Sequence, residues 1–246
     1  MGTEDREAPR VIVVVPTYNE ADNVRELATR VLAAIPDIEL LVVDDDSPDG
    51  TGKIADQIAA EQPRFHVIHR SENRGYAPSS REGLGWCRNR GYDYTLTMDG
   101  DLSHDPARIP ALLERARSGA ALVVGSRYVE GGAVEVDWGP VRRAVSQLGS
   151  RFARAMIGTH VHDCTSGYRC YSAEALRTLR FDDLRADGYA FLIEVLDQLV
   201  AARVEVTEVP ITYIDRQRGA SKISQSIIFE ALLETTGIGF RRVTGL

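Results

Sequence analysis

The fold is best predicted from residues 11–20, VIVVVPTYNE, where a continuous apolar run ends abruptly in polar residues. Two later runs end in the same way, at residues 42–47 (VVDDDS) and at residues 98–104 (MDGDLSH). Strands that are buried on both faces form apolar runs in a sequence, and the carboxyl ends of parallel strands meet at one edge of their sheet. These three runs therefore predict a parallel sheet that carries a polar site at one edge.

The rest of the chain extends this pattern. Apolar runs alternate with segments of helical periodicity, which predicts an α/β fold with a mostly parallel sheet flanked by helices. We predict strands at residues 11–15, 38–43, 65–68, 94–98, 121–124 and 204–209, and helices at residues 20–35, 51–62, 75–90, 105–118, 140–157 and 188–202. A C-terminal amphipathic helix is predicted over residues 222–240, because Ile223, Ile227, Ile228, Ala231 and Leu232 recur at helical intervals.

The composition is ordinary for a globular protein. The 246 residues are 43% hydrophobic and 26% charged, and this length favours one large domain over two small ones. The net charge of -7 argues against a general nucleic-acid-binding protein. No apolar stretch approaches the ~20 residues needed to span a bilayer, and residues 1–10 lack the pattern of a secretory signal. The three cysteines indicate neither a disulfide framework nor a zinc site.

Asp99 and Asp101 directly follow a predicted strand and are separated by one glycine. Such a pair suits a hard divalent cation such as Mg²⁺ or Mn²⁺, which prefers carboxylate, water and phosphate oxygens. In this interpretation Ser103 and His104 complete the metal shell, whereas in the alternative they cap the next helix and the two acids are ordinary loop residues. The D-x-D pattern alone leaves both interpretations open.

Residues 44–46 are three successive aspartates, an arrangement that is costly unless hydrogen-bond donors or cations compensate it. A nucleobase edge and a ribose offer such donors. The alternative is a solvated acidic turn at the start of a helix. Pro16, Tyr18 and Glu20 end the neighbouring strand, and together the two strand ends favour a nucleotide pocket.

Four further motifs give the sequence a family resemblance. They lie at residues 124–132 (VGSRYVEGG), 163–169 (DCTSGYR), 188–194 (GYAFLIE) and 208–222 (EVPITYIDRQRGASK). In this order they resemble the family-2 glycosyltransferases of the GT-A fold, and among these the dolichol-phosphate or polyprenol-phosphate mannose synthases. The resemblance implies a single nucleotide-diphospho-sugar transferase domain over residues 11–246, preceded by a disordered tail over residues 1–10.

The resemblance also implies roles for individual residues. The expected donor pocket is formed by Pro16, Tyr18, Glu20, Val43, Asp45, Asp99, Gly100, Asp101 and Arg216. The expected metal ligands are Asp99, Asp101 and Ser103, and the expected acceptor-phosphate residues are Arg127, Arg142 and Ser146. A basic loop with Arg216, Arg218 and Lys222 is expected to close over the donor diphosphate, and the expected catalytic residues are Asp101, Arg127, Arg218 and Lys222.

The implied activity is inverting, metal-dependent transfer of mannose from GDP-mannose to a polyprenyl phosphate, with Mg²⁺ or Mn²⁺ as cofactor. A phosphate monoester has a second pKa of about 6, so this acceptor is already an anionic nucleophile at neutral pH and needs no general base. A soluble hydroxyl acceptor needs a base, and Glu194 is then the candidate. UDP-glucose with the same lipid is the alternative donor. Donor identity is left open because Leu192 stands where many relatives have glutamine and residues 79–85 lack a lysine that is often found there.

The expected partners are a nucleotide sugar, the lipid phosphate and a membrane surface, with no nucleic acid. The chain is expected in the cytoplasm, peripheral at the cytoplasmic face of the membrane, and a membrane subunit is left open. The expected contact surface is formed by residues near 134–157 and by the C-terminal helix, where Phe229, Ile238 and Phe240 suit an interfacial helix or packing onto the core. A non-enzymatic sugar-nucleotide-binding module is disfavoured by the intact Asp99, Asp101, Arg127 and Lys222.

Overall fold

The computed structural model describes residues 8–136, 140–214 and 235–238, with residues 140–145 described as backbone only. The strands are β1 (Val11–Thr17), β2 (Glu39–Asp44), β3 (Phe65–His69), β4 (Tyr94–Thr97), β5 (Leu122–Ser126), β6 (Ala133–Glu135), β7 (Arg169–Ser172), β8 (Val206–Pro210) and β9 (Thr212–Ile214). The helices are α1 (Val24–Leu32), α2 (Thr51–Glu61), α3 (Tyr76–Asn89), α4 (Ile109–Arg117), α5 (Pro140–Ile157), α6 (Ala173–Thr178) and α7 (Ala190–Ala201), with short 3-10 helices at Pro106–Arg108 and Phe181–Asp183.

The main sheet has seven strands in the order β3-β2-β1-β4-β7-β5-β8, and β6 pairs with β9 in a separate two-stranded sheet. Neighbours in the main sheet are parallel except at β7, which is antiparallel to both β4 and β5. The predicted mostly parallel sheet flanked by helices is therefore confirmed. All six predicted strands are present. The six helices predicted before residue 203 are also present, and the ends of the elements shift by a few residues.

Helices cover both faces of this sheet, which explains the unbroken apolar run of β1. Val11, Val13 and Val15 pack on one face with residues of α1, α2 and α4. Ile12 and Val14 pack on the other face with residues of α3, α5, α6 and α7. Because successive side chains of a strand point to opposite faces, a strand that is apolar at every position must be buried on both.

β7 is the main element that the sequence pattern does not predict. Its sequence, RCYS, begins with a charged residue and has no apolar run, although Arg169, Cys170 and Tyr171 are all buried. The direction of β7 matters for the site. Because it is antiparallel to β4 and β5, it begins at the edge of the sheet where those strands end. The loop before it, residues 163–168, is thereby brought to the edge that carries the acidic motifs.

The predicted N-terminal tail and the predicted C-terminal helix lie partly outside the described residues. Of the predicted helix at residues 222–240, residues 235–238 are described and are helical. Of the predicted tail at residues 1–10, the structure describes residues 8–10, and Arg10 there pairs with Glu39 and stacks on Tyr92. Within the described part of the chain, no helix is long and apolar enough to cross a membrane.

Candidate active site

The polar site lies at the carboxyl ends of β1, β2 and β4, and its turns are strained. A non-glycine residue with positive φ follows each strand: Asn19 at 55°, Asp46 at 56° and Leu102 at 63°. A bulky side chain rarely adopts this conformation, which persists only where the surrounding structure holds it. Leu102 is held because its side chain is buried in the core beside α4. Core packing thus fixes the turn that carries the D-x-D motif.

Asp45 of the predicted nucleoside pocket forms a buried ion pair. Nη1 of Arg70 donates to its Oδ1 at 2.6 Å, and the backbone N–H of Gly75 donates to its Oδ2 at 2.5 Å. Both charged side chains are only 7% exposed. Nε of Arg70 donates to Glu82, and Nη1 also donates to the hydroxyl of Ser79. Asp45 is therefore a rigid, buried carboxylate, and the alternative of a solvated acidic turn does not describe it.

The two neighbours of Asp45 have different environments. Asp44 is buried, and its Oδ1 accepts hydrogen bonds from the hydroxyls of Ser47 at 2.6 Å and Thr17 at 3.3 Å. Asp46 is half exposed and pairs with Arg74. Asp44 thus ties the turn after β2 to the end of β1, and only Asp46 faces solvent.

The remaining residues of the predicted nucleoside pocket lie along the ends of β1 and β2. Pro16 is paired with Val43 in the parallel register of the two strands. Tyr18 is 39% exposed. Glu20 is buried, and its Oε2 accepts a hydrogen bond from Asn23 at 2.7 Å. The structure therefore brings these four residues to one edge of the sheet, beside Asp45.

Asp99 and Asp101 differ in exposure. The side chain of Asp99 is 30% exposed, whereas Asp101 is 2% exposed. Ser103 donates its backbone N–H to Asp101 Oδ1 at 3.1 Å and its hydroxyl to the same atom at 2.6 Å. Gly100 packs against β1, where a Cβ would lie 3.3 Å from Thr17 Cγ2. The carboxylate of Asp101 is thus fixed inside the turn, whereas that of Asp99 faces the site.

His104 holds the backbone of this turn. Burial lowers the pKa of His104, which keeps the imidazole neutral, and its Nδ1 accepts the backbone N–H of Asp99 at 3.1 Å. Its ring lies 5.0 Å from the ring of Tyr168 and 5.6 Å from that of Tyr213. The cap of the following helix is instead Asp105, which accepts from the backbone N–H of Ala107. His104 therefore positions Asp99.

The carboxylates of Asp99 and Asp101 suit a metal ion whose other ligands are phosphate oxygens and water. Within residues 8–136, 140–214 and 235–238, no group of three or more His, Cys, Asp or Glu side chains is arranged to hold a metal. Mg²⁺ is commonly bound by one or two carboxylates together with phosphate oxygens and water, and Mn²⁺ prefers similar oxygen ligands. Asp99 and Asp101 provide such a pair. This donor set suits a diphosphate-bound cation and differs from a closed all-protein zinc site.

Arg127 directly follows β5 and is fixed by Asp163, which is completely buried. Its Nε and Nη2 each donate to the carboxylate at 2.7 Å, and its backbone N–H donates to Oδ2 at 3.0 Å. Burial lowers the pKa of Arg127 and raises that of Asp163, but their contact outweighs both effects and keeps both groups charged. The guanidinium is therefore held in one orientation as a permanent cation.

The other predicted acceptor residues lie on α5. The Ser146 Oγ is 2.7 Å from the hydroxyl oxygen of Tyr128, which follows Arg127 in the chain. The structure therefore brings Ser146 close to Arg127. Arg142 also lies in α5, but its side chain is outside the described residues. Arg216, Arg218 and Lys222 lie wholly outside the described residues, and their roles remain predictions.

Arg169, at the start of β7, organises the loop that holds Arg127. Its side chain is completely buried and donates to three backbone carbonyl oxygens, those of Cys164, Ser166 and Leu192, each at 2.8 Å. Hydrogen bonds to a charged group are stronger than neutral ones, and the buried cation stabilises all three carbonyl groups. The loop at residues 163–168 is thereby fastened to α7.

The same loop packs against Tyr76 and Asp99 at Gly167. A Cβ on this residue would lie 2.8 Å from Tyr76 Oη and 3.2 Å from Asp99 Oδ1. The hydroxyl of Thr97, at the end of β4, donates to the Gly167 carbonyl oxygen at 2.7 Å. A side chain at this position would therefore displace Tyr76, Asp99 or the loop itself.

Glu194, the candidate base for a hydroxyl acceptor, has a structural position. It is 6% exposed, and its Oε2 accepts the backbone N–H groups of Arg185 and Ala186, both at 2.8 Å. These bonds fasten the segment before α7 to the helix. The geometry assigns Glu194 to holding this segment.

Sequence reasoning did not assign roles to Arg70, Asp163, Arg169 or Tyr213. Arg70 follows the end of β3, so the strand-end argument that identified Asp45 applies to it as well. Asp163 and Arg169 stand in one of the family motifs, but their roles depend on the unpredicted strand β7. Tyr213 lies in β9, whose three residues are too short to give a periodic signal.

Comparisons with known proteins agree with this architecture. The sequence model of the family described as "Glycosyl transferase family 2" matches residues 12–180. The chain is 41% identical over 230 residues to the undecaprenyl-phosphate mannosyltransferase of Micrococcus luteus, covering 94% of each chain. It is 39% identical over 237 residues to the polyprenol monophosphomannose synthase of Mycolicibacterium smegmatis, covering 96% of this chain and 89% of that one.

Solved structures show the same fold at lower identity. A glucosyl-3-phosphoglycerate synthase from Mycobacterium tuberculosis, in complex with Mn²⁺, uridine diphosphate and phosphoglyceric acid, superposes with a TM-score of 0.68 and 18% sequence identity. The match covers 94% of this chain and 78% of that one. The GT-A fold expected from the sequence motifs is confirmed by this likeness.

Proposed function

The chain belongs to glycosyl transferase family 2, and on this premise we propose that it transfers mannose from GDP-mannose to a polyprenyl phosphate. The enzyme is a hexosyltransferase. The products are polyprenyl-phosphate mannose and GDP, and the anomeric configuration inverts because one displacement occurs. Two relatives with 41% and 39% identity, both named for joining mannose to a polyprenol phosphate, support the choice of sugar and acceptor.

One observation carries the proposal: a fixed cation lies beside the carboxylate site. Arg127 Cζ is 5.5 Å from the centroid of the Tyr213 ring, and this ring is 5.6 Å from the ring of His104, which binds the Asp99 backbone. A single aromatic side chain therefore separates Arg127 from the D-x-D turn. An acceptor phosphate held by Arg127 lies next to the donor diphosphate, as a direct displacement requires.

The guanidinium of Arg127 retains a donor for this phosphate. Two of its nitrogens, Nε and Nη2, donate to Asp163, and Nη2 also donates to Thr165 at 3.1 Å. Among the described residues, Nη1 donates no hydrogen bond. An arginine that is fixed by a carboxylate on one side presents its remaining N–H groups in a defined direction, which suits a phosphate oxygen. We assign Arg142 and Ser146 to the same phosphate.

The reaction needs no protein base. A phosphate monoester has a second pKa of about 6, so its oxygen attacks the anomeric carbon as an anion at neutral pH. This agrees with the position of Glu194, whose Oε2 is occupied by two backbone N–H groups. A hydroxyl acceptor would need a base, whereas Glu194 already uses one carboxylate oxygen to hold the segment before α7.

The leaving diphosphate is placed at the D-x-D turn. When bound there, Mg²⁺ or Mn²⁺ would neutralise the charge that develops on the leaving group. Asp99 and Asp101 are the proposed ligands, with Ser103 orienting Asp101 through two hydrogen bonds. Arg216, Arg218 and Lys222 are proposed to close over the diphosphate.

The nucleoside is placed in the pocket of Pro16, Tyr18, Glu20, Val43 and Asp45. Guanine offers a ring N–H and an amino group side by side, which can share one carboxylate, whereas uracil offers a single ring N–H. The Asp45 carboxylate is buried and fixed by Arg70, so it is an oriented acceptor for such donors. Asp45 can accept from either base, so the choice of a mannose donor is supported by the relatives named for mannose transfer.

A lipid acceptor places the enzyme at a membrane surface. We propose that it binds peripherally at the cytoplasmic face, where nucleotide sugars are available. Contact is proposed for α5 and for the predicted helix at residues 222–240.

A transfer assay tests the function directly. Purified protein is incubated with radiolabelled GDP-mannose or UDP-glucose, Mg²⁺ or Mn²⁺, and either a short polyprenyl phosphate or the matching polyprenol. Label is expected in the lipid product only with GDP-mannose, the phosphate and a metal. Transfer to the free alcohol, or preference for UDP-glucose, contradicts the proposed acceptor or donor, respectively.

A further inference from the structure

A cavity of about 330 Å³ opens beside Arg127, between the segment that follows β5 and helix α5. We call it the basic pocket, and its walls include Arg127, Tyr128, Gln147, Arg151, Arg154 and His162. Asp99, Asp101 and Tyr213 are not among the residues that line it. The basic pocket therefore includes Arg127 in its wall but neither carboxylate of the D-x-D turn.

Two of the four basic residues that line the basic pocket have carboxylate partners. Arg127 is paired with Asp163, and the ring of His162 lies 2.8 Å from Glu208. Within the described residues, the side chains of Arg151 and Arg154 form no ion pair. On a chain with a net charge of -7, this concentrates two uncompensated positive charges at one cavity. The charge of the pocket is complementary to an anion.

The helix that carries these arginines has two distinct faces. Gln147, Arg151 and Arg154 follow one another at intervals of four and three residues, so they share one face of α5. The adjacent face carries Leu148, which is 59% exposed, and Phe152, which is partly exposed. A cationic face beside an exposed apolar face is typical of helices that lie in the interface between membrane and water.

We propose that the basic pocket binds the phosphate of an anionic membrane phospholipid. Arg151 and Arg154 supply planar forks of N–H donors that match phosphate oxygens. The cavity of about 330 Å³ is within the range of small-ligand sites. Leu148 and Phe152 then lie at the boundary with the acyl chains. The proposal rests on the proposed function in one respect, that a lipid acceptor brings the enzyme to a membrane.

The geometry favours a headgroup over the acceptor phosphate as the ligand. The acceptor oxygen must reach the sugar at the D-x-D turn, and neither carboxylate of that turn lines the pocket. Arg151 is exposed and stands on α5 beside the apolar face, where a lipid in the bilayer can reach it. A phospholipid bound there through Arg151 and Arg154 would hold α5 on the membrane.

Vesicle binding by the full chain tests the proposal. Arg151→Gln and Arg154→Gln are measured by cosedimentation with vesicles of equal parts phosphatidylglycerol and phosphatidylcholine, and with vesicles of phosphatidylcholine alone. Each change is expected to weaken binding to anionic vesicles about fivefold, and the double variant about 25-fold, because one basic residue near an anionic surface contributes about 1 kcal/mol. Binding to neutral vesicles is expected to change little.

Matched variants control for charge and folding. Arg117→Gln with Arg177→Gln removes two exposed arginines that lie on α4 and α6, and it is expected to bind anionic vesicles within about twofold of the unchanged chain. The double lysine variant, Arg151→Lys with Arg154→Lys, keeps the charge and is expected to retain most of the binding. If the double glutamine variant binds anionic vesicles as tightly as the unchanged chain, the proposal is wrong.

Turnover without vesicles separates the two phosphate sources. With a short, water-soluble polyprenyl phosphate, the double glutamine variant is expected to keep the KM and kcat of the unchanged chain. A raised acceptor KM with unchanged vesicle binding would assign the pocket to the acceptor and overturn the headgroup proposal. If the unchanged chain transfers no mannose yet binds anionic vesicles through Arg151 and Arg154, the proposed function fails and the pocket proposal stands.

Discussion

The proposed donor edge of the site and its proposed acceptor edge carry opposite charges, and the contacts that hold them differ in sequence separation. At the donor edge, after β4, Asp101 is oriented by Ser103, two positions along the chain. At the acceptor edge, after β5, Arg127 is oriented by Asp163, 36 positions along the chain. Local supports form as soon as the turn forms, whereas distant supports require the complete fold. The orientation of Arg127 should therefore respond to any change that disturbs folding, and the orientation of Asp101 mainly to changes in its own turn.

Asp101→Asn tests the donor edge and is expected to have the largest effect on activity. The substitution keeps the volume and an acceptor oxygen for Ser103 but removes the charge that a metal ion needs. Loss of a preorganised charge in an active site costs on the order of 10³-fold in turnover. We expect a loss of this size in mannosyl transfer, with little change in the free energy of unfolding measured by urea titration.

Asp46→Asn is the matched control, because Asp46 is an acidic residue of the same edge but is half exposed. We expect it to transfer mannose at a rate near that of the unchanged chain. Comparable turnover in the Asp101 variant and this control would remove Asp101 from the reaction.

Asp163→Asn tests the acceptor edge and is expected to reduce stability as well as activity. The variant leaves the Arg127 guanidinium buried without its countercharge, and breaking a buried ion pair typically costs about 3 kcal/mol or more. Urea unfolding measures this cost, and the acceptor KM is expected to rise because the guanidinium loses its fixed orientation. Asp183→Asn, which breaks the exposed pair with Arg180, should cost less than about 1 kcal/mol. Equal effects of the two substitutions would contradict the role of burial.

The same ion pair predicts a pH dependence. Contact with Arg127 holds the pKa of Asp163 below its usual value despite burial. The contribution of the pair is therefore complete above the unfolded pKa of about 3.9, and it is lost as the pH falls through the lower folded value. The difference in unfolding free energy between the unchanged chain and Asp163→Asn is expected to be constant near neutral pH and to shrink in acid. A difference that grows in acid would contradict the assignment.

The contrast between the two edges also explains how much the sequence reveals. The D-x-D turn and the acid Asp45 are readable because each directly follows an apolar strand. The role of Arg169 could not be predicted in this way. A buried arginine that donates to three carbonyl oxygens does not show in the hydrophobic pattern of the sequence. The same holds for β7, whose four residues take their strand conformation from β4 and β5 on either side. Long-range pairing, and not local propensity, forms this part of the fold.

Gly167→Ala tests the contact between the two edges. The added Cβ would lie 2.8 Å from Tyr76 Oη and 3.2 Å from Asp99 Oδ1, so the Asp99 side chain or the loop must move. A displacement of a positioned group by less than 1 Å can lower turnover substantially, and we expect a loss of about tenfold. Gly85→Ala is the control, because a Cβ there meets nothing within 4 Å. A loss of turnover in both variants would point to glycine removal in general and away from this contact.

Tyr128→Phe is expected to have the smallest effect, and it distinguishes the two edges most directly. The change removes the hydroxyl that lies 2.7 Å from Ser146 Oγ and leaves the ring in place. A single hydrogen bond contributes about 1 kcal/mol, which corresponds to a change of about fivefold. Because Ser146 is assigned to the acceptor phosphate, the acceptor KM is expected to rise by up to this factor while the GDP-mannose KM stays constant. A rise in the KM of the donor alone would mean that α5 serves the donor edge, and the division between the two edges would be wrong.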